Sequence, residues 1–261
     1  MRGIEIFQVD AFTDKVFHGN PAAVCLITTW LNDELMQAIA VENNLSETAF
    51  VVQDQSKFYI RWFTPRSETN LCGHATLAAG FVLFEEGYAN TDKIQFINAS
   101  GDFSVSKKGS YYTLDFPRLT YTESSNAAII SSLIDCKVEG IYDSELDYLA
   151  VLSSDRDVAT VNVNLLELSK LPKRGLIVTA RANDVDFYSR CFYPKYNIAE
   201  DPVTGSAHCV LAPFWCDRLN KPILHGIQGS YRKGQVDCKV MDSRVLMSGS
   251  CRLFMKGYLV I

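Results

Sequence analysis

The chain has 261 residues, of which 48% are hydrophobic and 21% charged, and its formal net charge is −5 at pH 7. That composition belongs to an ordinary folded protein with a substantial core and excludes wholesale disorder. Acidity without any block of Lys and Arg removes the electrostatic footprint of a nucleic-acid or anionic-membrane binder, so a small molecule is the expected partner.

The opening stretch MRGIEIFQVDAFTD carries Glu5, Asp10 and Asp14 and lacks the apolar core of a signal peptide. No apolar run reaches about 18 residues, and a cytoplasmic protein is expected. Eight cysteines (25, 72, 136, 191, 209, 216, 238, 251) contain no C-x-x-C pair and read as buried thiols, with no disulfide and no metal site expected. Lys107-Lys108 and Lys173-Arg174 read as solvated loop charges.

In chain order, residues 4–10 alternate as a strand, and Gly19-Asn20-Pro21 turns into an apolar strand at 22–27. Asn32-Asp33-Glu34 caps a helix through Asn43. Strands at 48–52 and 58–63 bracket a turn at Asp54-Gln55-Ser56. Residues 73–84 are apolar or small on every side, which predicts a helix surrounded by protein. Strands at 93–98, 102–107 and 111–116 follow, the last two joined through Lys108-Gly109-Ser110. The second half reads as a helix at 126–133, then strands near 137–142, 147–152, 158–162, 175–180 and 186–193. A second buried helix runs from Gly205 to Trp215, where Pro213 is expected to kink it, before strands at 223–230, 236–241, 244–249 and 251–259.

One segment occurs twice. Arg61-Trp62-Phe63-Thr64-Pro65 precedes Glu68, Gly73 and Ala75, and Arg190-Cys191-Phe192-Tyr193-Pro194 precedes Glu200, Gly205 and Ala207. The spacing E-x4-G-x-A is the same in both; the arginines lie 190 − 61 = 129 residues apart and the glycines 205 − 73 = 132. A period this long is no solenoid, whose units run to roughly 50 residues. It predicts an α+β protein of two pseudo-symmetric domains, 1–117 and 118–261, each a curled, mostly antiparallel sheet or barrel around one buried helix. The strand at 251–261 is alternatively placed back on the first domain. Each Gly-led helix presents unpaired N–H groups to anions, and under pseudo-twofold symmetry the two ends converge on one ligand in an interdomain cleft, the expected active site.

Glu47, among apolar neighbours in Asn44-Leu45-Ser46-Glu47-Thr48-Ala49-Phe50, is the general acid/base candidate, because desolvation raises a carboxyl pKa toward the useful range; the alternative is a solvated turn residue. His74, directly after Gly73, is a neutral hydrogen-bonding imidazole or simply a satisfied core histidine. Glu200-Asp201-Pro202-Val203-Thr204-Gly205-Ser206 is a ligand-binding turn, in which Asp201 or Thr204 could equally cap the helix. Nucleotide, dinucleotide, zinc-peptidase and lipase motifs are absent. A hydrolase triad of Ser206, His208 and Asp201 fails because residues two apart on a helix do not face each other.

Five blocks, Val9-Asp10-Ala11-Phe12-Thr13, Phe17-His18-Gly19-Asn20-Pro21-Ala22-Ala23-Val24, Leu45 to Phe50, Leu71-Cys72-Gly73-His74-Ala75-Thr76 and Glu200 to His208, resemble the PhzF family of phenazine-biosynthesis-like isomerases. The resemblance implies the diaminopimelate epimerase fold, a cofactor-free isomerase that is often a homodimer, and a small carboxylic-acid substrate. It implies that Glu47 shuttles a proton between carbons, that His74, Asp201 and Ser206 hydrogen-bond substrate polar groups, and that Asn20 binds substrate. N–H groups at Gly73, Thr204 and Gly205 are then expected to hold the substrate carboxylate. Epimerases of this fold use one cysteine per half. Cys72 stands at the first position but Pro202 at the second, which disfavours a two-thiol mechanism and leaves Cys72 as packing. The rival readings are an epimerase or racemase using Glu47 with another base, and a non-catalytic small-molecule or protein-binding module.

Overall fold

In the computed structural model, which describes residues 3–261, two units of the α+β chain each fold around a core of their own: Met1–Asp115 with Ser248–Ile261, and Phe116–Met247. The first contains β1 (Ile4–Ala11), β2 (Asn20–Ile27), α1 (Asp33–Asn43), β3 (Glu47–Asp54), β4 (Lys57–Phe63), β5 (Glu68–Thr69), α2 (Gly73–Glu85), β6 (Lys93–Asn98), β7 (Gly101–Lys108) and β8 (Tyr111–Pro117). Strands β2 and β3 are apolar along both faces because one side meets α2 and the other meets Met36, Ile39 and Ala40 of α1. Asn32 caps α1 as the sequence predicts, its Oδ1 accepting from the Leu35 N–H at 2.7 Å.

The second unit contains β9 (Tyr121–Glu123), α3 (Ala127–Ser131), β10 (Val138–Ser144), β11 (Tyr148–Leu152), α4 (Asp155–Thr160), α5 (Leu165–Leu168), β12 (Leu176–Arg181), β13 (Phe187–Tyr193), β14 (Ile198–Asp201), α6 (Gly205–Leu219), β15 (Ile223–Gln228), β16 (Gly234–Val240) and β17 (Arg244–Gly249). The final strand, β18 (Cys251–Leu259), belongs to the first unit. The strand predicted near 158–162 is instead helix α4. Ser154 accepts from the Asp157 N–H at 3.1 Å, and two acidic residues occupy the first turn, a start signal that overrides the apolar run behind it. Helix α6 runs on through Pro213. No helix among the described residues is long and apolar enough to cross a membrane.

The duplication extends to strand pairing. In the first unit β1 runs antiparallel to β2 and β18, β2 parallel to β3, and β3 antiparallel to β4; β4 then pairs antiparallel with short β5 and parallel with β6, and β6 antiparallel with β7, which pairs with β8. In the second, β10 runs antiparallel to β9 and β11, β11 parallel to β12, and β12 antiparallel to β13; β13 pairs antiparallel with short β14 and parallel with β15, and β15 antiparallel with β16. From β1 and from β10 onward the order of senses is the same. Helix α2 follows β5 and packs against β1, β2, β3, β7 and β18; α6 follows β14 and packs against β15 and β16. Close approach needs a missing side chain: a Cβ on Gly80 would stand 2.7 Å from Val105 of β7.

The repeated Arg and Glu form the same two-toothed ion pair in each unit. Arg61 donates from Nε and Nη2 to the two Glu68 oxygens, both at 2.6 Å, and Arg190 does so to Glu200 at 3.1 and 2.8 Å. Each guanidinium also lies over the Phe two residues on, 5.1 Å from the ring of Phe63 or of Phe192. The second copy is more enclosed: Glu200 further accepts from Ser230 N and Oγ, and Arg190 Nη1 donates to the carbonyls of Val158 and Val161. Glu200→Gln is therefore expected to cost about 3 kcal/mol, as a partly buried guanidinium loses its counter-charge, and the more exposed Glu68→Gln about 1 kcal/mol; urea unfolding of the two variants compares them.

Candidate active site

Gly19 has φ +61°, and a Cβ there would fall 2.1 Å from the Ala11 carbonyl oxygen, so only glycine makes the turn that starts β2 at the buried Asn20. The Asp10 carboxylate braces the same loop, accepting from the Phe17 N–H at 2.7 Å. Asn20 Nδ2 lies 3.2 Å from His74 Nδ1, while Asn20 Oδ1 faces Ser46 Oγ at 3.5 Å. An amide oriented in this way donates to Nδ1, which leaves the imidazole proton on Nε2.

His74 Nε2 stands 3.3 Å from Glu47 Oε2, off the line of a straight hydrogen bond. Burial pushes the His74 pKa down from 6.5 to about 3, so at neutral pH the imidazole is uncharged and the contact is a neutral ring against a carboxyl group. The sequence reading attributes the neutral ring to the helix terminus; desolvation is the cause here. Glu47, the first residue of β3, keeps 15% side-chain exposure: it is a half-buried group beside His74 rather than a solvated turn residue. Cys72 stands at the N-cap of α2 in extended conformation, its buried Sγ 3.7 Å from His74 Nδ1. No side chain caps α2, and Gly73 opens it. Asn20, Glu47, Gly73 and His74 are thus brought together within the first unit.

In the second unit Asp201, Thr204, Gly205 and Ser206 gather at the start of α6. Neither Asp201 nor Thr204 caps the helix through its side chain. Thr204 Oγ1 donates to Asp201 Oδ2 at 2.5 Å, and buried Gln228 accepts from the Thr204 N–H at 2.9 Å while donating to the Asp201 carbonyl. The Thr204 N–H, expected to hold a substrate carboxylate, is occupied within the unit. Gly205 heads the helix, and the Ser206 hydroxyl accepts from Arg174 Nη1 at 2.9 Å, which leaves its own O–H to donate. Arg174 is no solvated loop charge. Its Nε and Nη2 clasp Asp147 at 3.0 and 2.5 Å, Asp147 is only 1% exposed, and the guanidinium lies 4.8 Å from the Tyr193 ring. Lys107 is likewise paired, with Glu85 at 2.6 Å. His208 Nδ1 donates to the Thr204 carbonyl at 2.9 Å, and burial lowers its pKa to about 4.

Sequence reasoning passed over Gln228 and Asp147 and misread Arg174. The one available signal was a polar residue inside an otherwise apolar strand or beside its start.

A family model described as phenazine biosynthesis-like protein, PhzC-PhzF, matches residues 9–257. The chain belongs to the PhzF family. An uncharacterized isomerase of Pseudomonas aeruginosa is 45% identical over 260 residues, covering 98% of each chain. A crystal structure of a PhzF-family protein from Enterococcus faecalis superposes with TM-score 0.95 at 42% identity, over 99% of this chain and 100% of that one. A probable proline racemase from Agrobacterium radiobacter shares the fold, with TM-score 0.66 at 9% identity over 99% and 93% of the two chains.

The two buried histidines set a pH dependence for this PhzF-family protein. In the unfolded chain both take protons near pH 6.5, whereas the folded sites resist until about 3 and 4. Their contribution is complete above pH 6.5 and is lost as pH falls toward 4, with a limiting slope of roughly 1.4 kcal/mol per pH unit for each ring. Urea unfolding between pH 7 and 4.5 is expected to show that loss, and His208→Gln to lower the slope by about half.

Proposed function

We propose that this PhzF-family isomerase moves a proton between carbons of a small carboxylic acid, unsaturated or amino, with Glu47 as the acid/base. The observation that carries this reading is the Asn20–His74–Glu47 juxtaposition: a half-buried carboxyl group beside an imidazole that is neutral and whose tautomer is set from behind. A base needs one protonation state in which to accept a proton from carbon and another in which to return it, and a carboxyl group supplies both. The neutral His74, with its proton on Nε2, is suited to donate a hydrogen bond to Glu47 or to a substrate oxygen without itself ionising. Gly73, at the uncapped start of α2, offers backbone N–H groups to an anionic group of the substrate.

The roles of Asp201, Gly205 and Ser206 rest on the family resemblance. Ser206, whose oxygen already accepts from Arg174, is polarised to donate to a substrate oxygen. Thr204 is assigned to holding Asp201 in place rather than to binding the carboxylate.

A second reading, epimerisation with Cys72 as the partner base, is favoured by the Cys72 thiol standing against the same imidazole as Glu47. Heavy water separates the alternatives. Candidate acids incubated with wild-type protein are expected to take up solvent deuterium at a new carbon, and Glu47→Gln to slow this by roughly 10²–10⁴-fold, measured by NMR. Loss of optical activity with exchange at the original carbon would mark epimerisation. Binding with no exchange at all would replace the enzyme with a ligand-binding protein.

A further inference from the structure

Glu47, Cys72 and His74 do more than flank one another. One carboxylate oxygen, one sulfur and one imidazole nitrogen lie within 4.8 Å of each other; Glu47 Oε2 stands 3.3 Å from one ring nitrogen, Nε2, and Cys72 Sγ stands 3.7 Å from the other, Nδ1. Zn²⁺ bonds of about 2.0 Å to nitrogen or oxygen and about 2.3 Å to sulfur, at tetrahedral angles, set neighbouring donors roughly 3.3–3.8 Å apart. Whichever ring nitrogen ligates, one of the other two donors already stands at such a spacing from it, and side-chain adjustment of about 1 Å brings in the third.

We propose that these three side chains form a binding site for a thiophilic divalent cation, Zn²⁺ above all, and that its occupation switches off the proton transfer assigned to Glu47. The donor set decides the chemistry. A sulfur and an imidazole nitrogen reject Mg²⁺ and Ca²⁺, which take oxygen ligands, and suit Zn²⁺. Three protein ligands leave a fourth position for water or a substrate carboxylate, the pattern of an open rather than a closed zinc site.

The surroundings are consistent with that use. Cys72 and His74 come from the rigid start of α2, where the Cys72 carbonyl accepts from Thr76 Oγ1 at 2.5 Å, and Glu47 comes from the first position of β3. Asn20 is the outer partner that orients the ring. Binding displaces the Cys72 thiol proton to solvent. When Nε2 ligates, its proton moves to Nδ1 and the Asn20 amide turns to accept it through Oδ1, so no charge is stranded on the ring. A bound divalent cation stabilises the ionised Glu47 carboxylate and so opposes its taking up a proton, which is why ion and proton transfer compete.

Only the inhibitory half of this proposal rests on the function proposed above, and the test reads the two separately. Full-length protein stripped of metal is titrated with Zn²⁺ against a chromophoric chelator, and the loaded protein is examined by zinc X-ray absorption. One equivalent bound, with a sulfur neighbour at about 2.3 Å, is expected. Cys72→Ser, checked by circular dichroism for wild-type folding, is expected to weaken binding by more than the roughly 10–100-fold typical of a lost outer partner. Absence of stoichiometric binding, absence of the sulfur neighbour in wild-type protein, or equal affinity in Cys72→Ser overturns the site. Deuterium exchange by metal-free protein that stops on adding Zn²⁺ and returns with chelator supports the switch, and exchange that persists in the loaded protein overturns it. Zinc bound at Cys72 in a protein that never exchanges would support the site and remove the isomerase reading alone.

Discussion

Each unit turns on one guanidinium. Arg61 and Arg190 leave the middle of a strand, lie against the aromatic ring two residues on, and grip both oxygens of a Glu placed five residues before a helix-opening Gly. A planar fork fixes direction as well as distance, so the short strand carrying the Glu is locked to the longer one and the chain can enter the core helix at only one place. That restriction matters because α2 and α6 are apolar nearly all round and have no polar face to orient them. Without the fork the helix start would be positioned by non-directional packing alone.

What is duplicated is this scaffold and not the chemistry placed on it. The parallel pair β2–β3 opens at Glu47, a carboxyl group beside a neutral ring. The corresponding parallel pair β11–β12 is preceded by Arg174, a guanidinium held by buried Asp147 and touching Ser206. Cys72 at one helix start is matched by no thiol at the other. Two copies of one frame thus carry different groups at the corresponding place, a carboxyl group beside a neutral ring in the first and a guanidinium paired with a buried carboxylate in the second.

The parts legible in the sequence were those whose physics is local or periodic. Helix α2 could be read because twelve consecutive residues offer no polar side until Glu85, and α1 because Asn32 supplies its cap three residues before the first apolar residue, Leu35. Glu47 and His74 stood out as polar groups within apolar or glycine-bounded blocks, and they meet; Asn20, which reads from the residues alone as part of a turn and as a site residue only through the family resemblance, joins them. Misreadings arose where the deciding partner is far along the chain. Arg174 looked like a loop charge because Asp147 lies 27 residues away, and the Thr204 N–H looked open because Gln228, 24 residues on, takes it. Strands as short as β5 or β14 have too few residues to show alternation, although they carry the glutamates of both forks.

The pairing of β1 with β18 has a consequence for biogenesis. Residues 4–11 hydrogen-bond with residues 251–259, so β1 meets β18, one of its two neighbours, only after the entire second unit has emerged from the ribosome. Until then the outer edge of β1 presents unpaired amide and carbonyl groups to solvent, and closure requires a contact of very high sequence separation. Vectorial synthesis therefore makes the second unit the first one whose strands are all present.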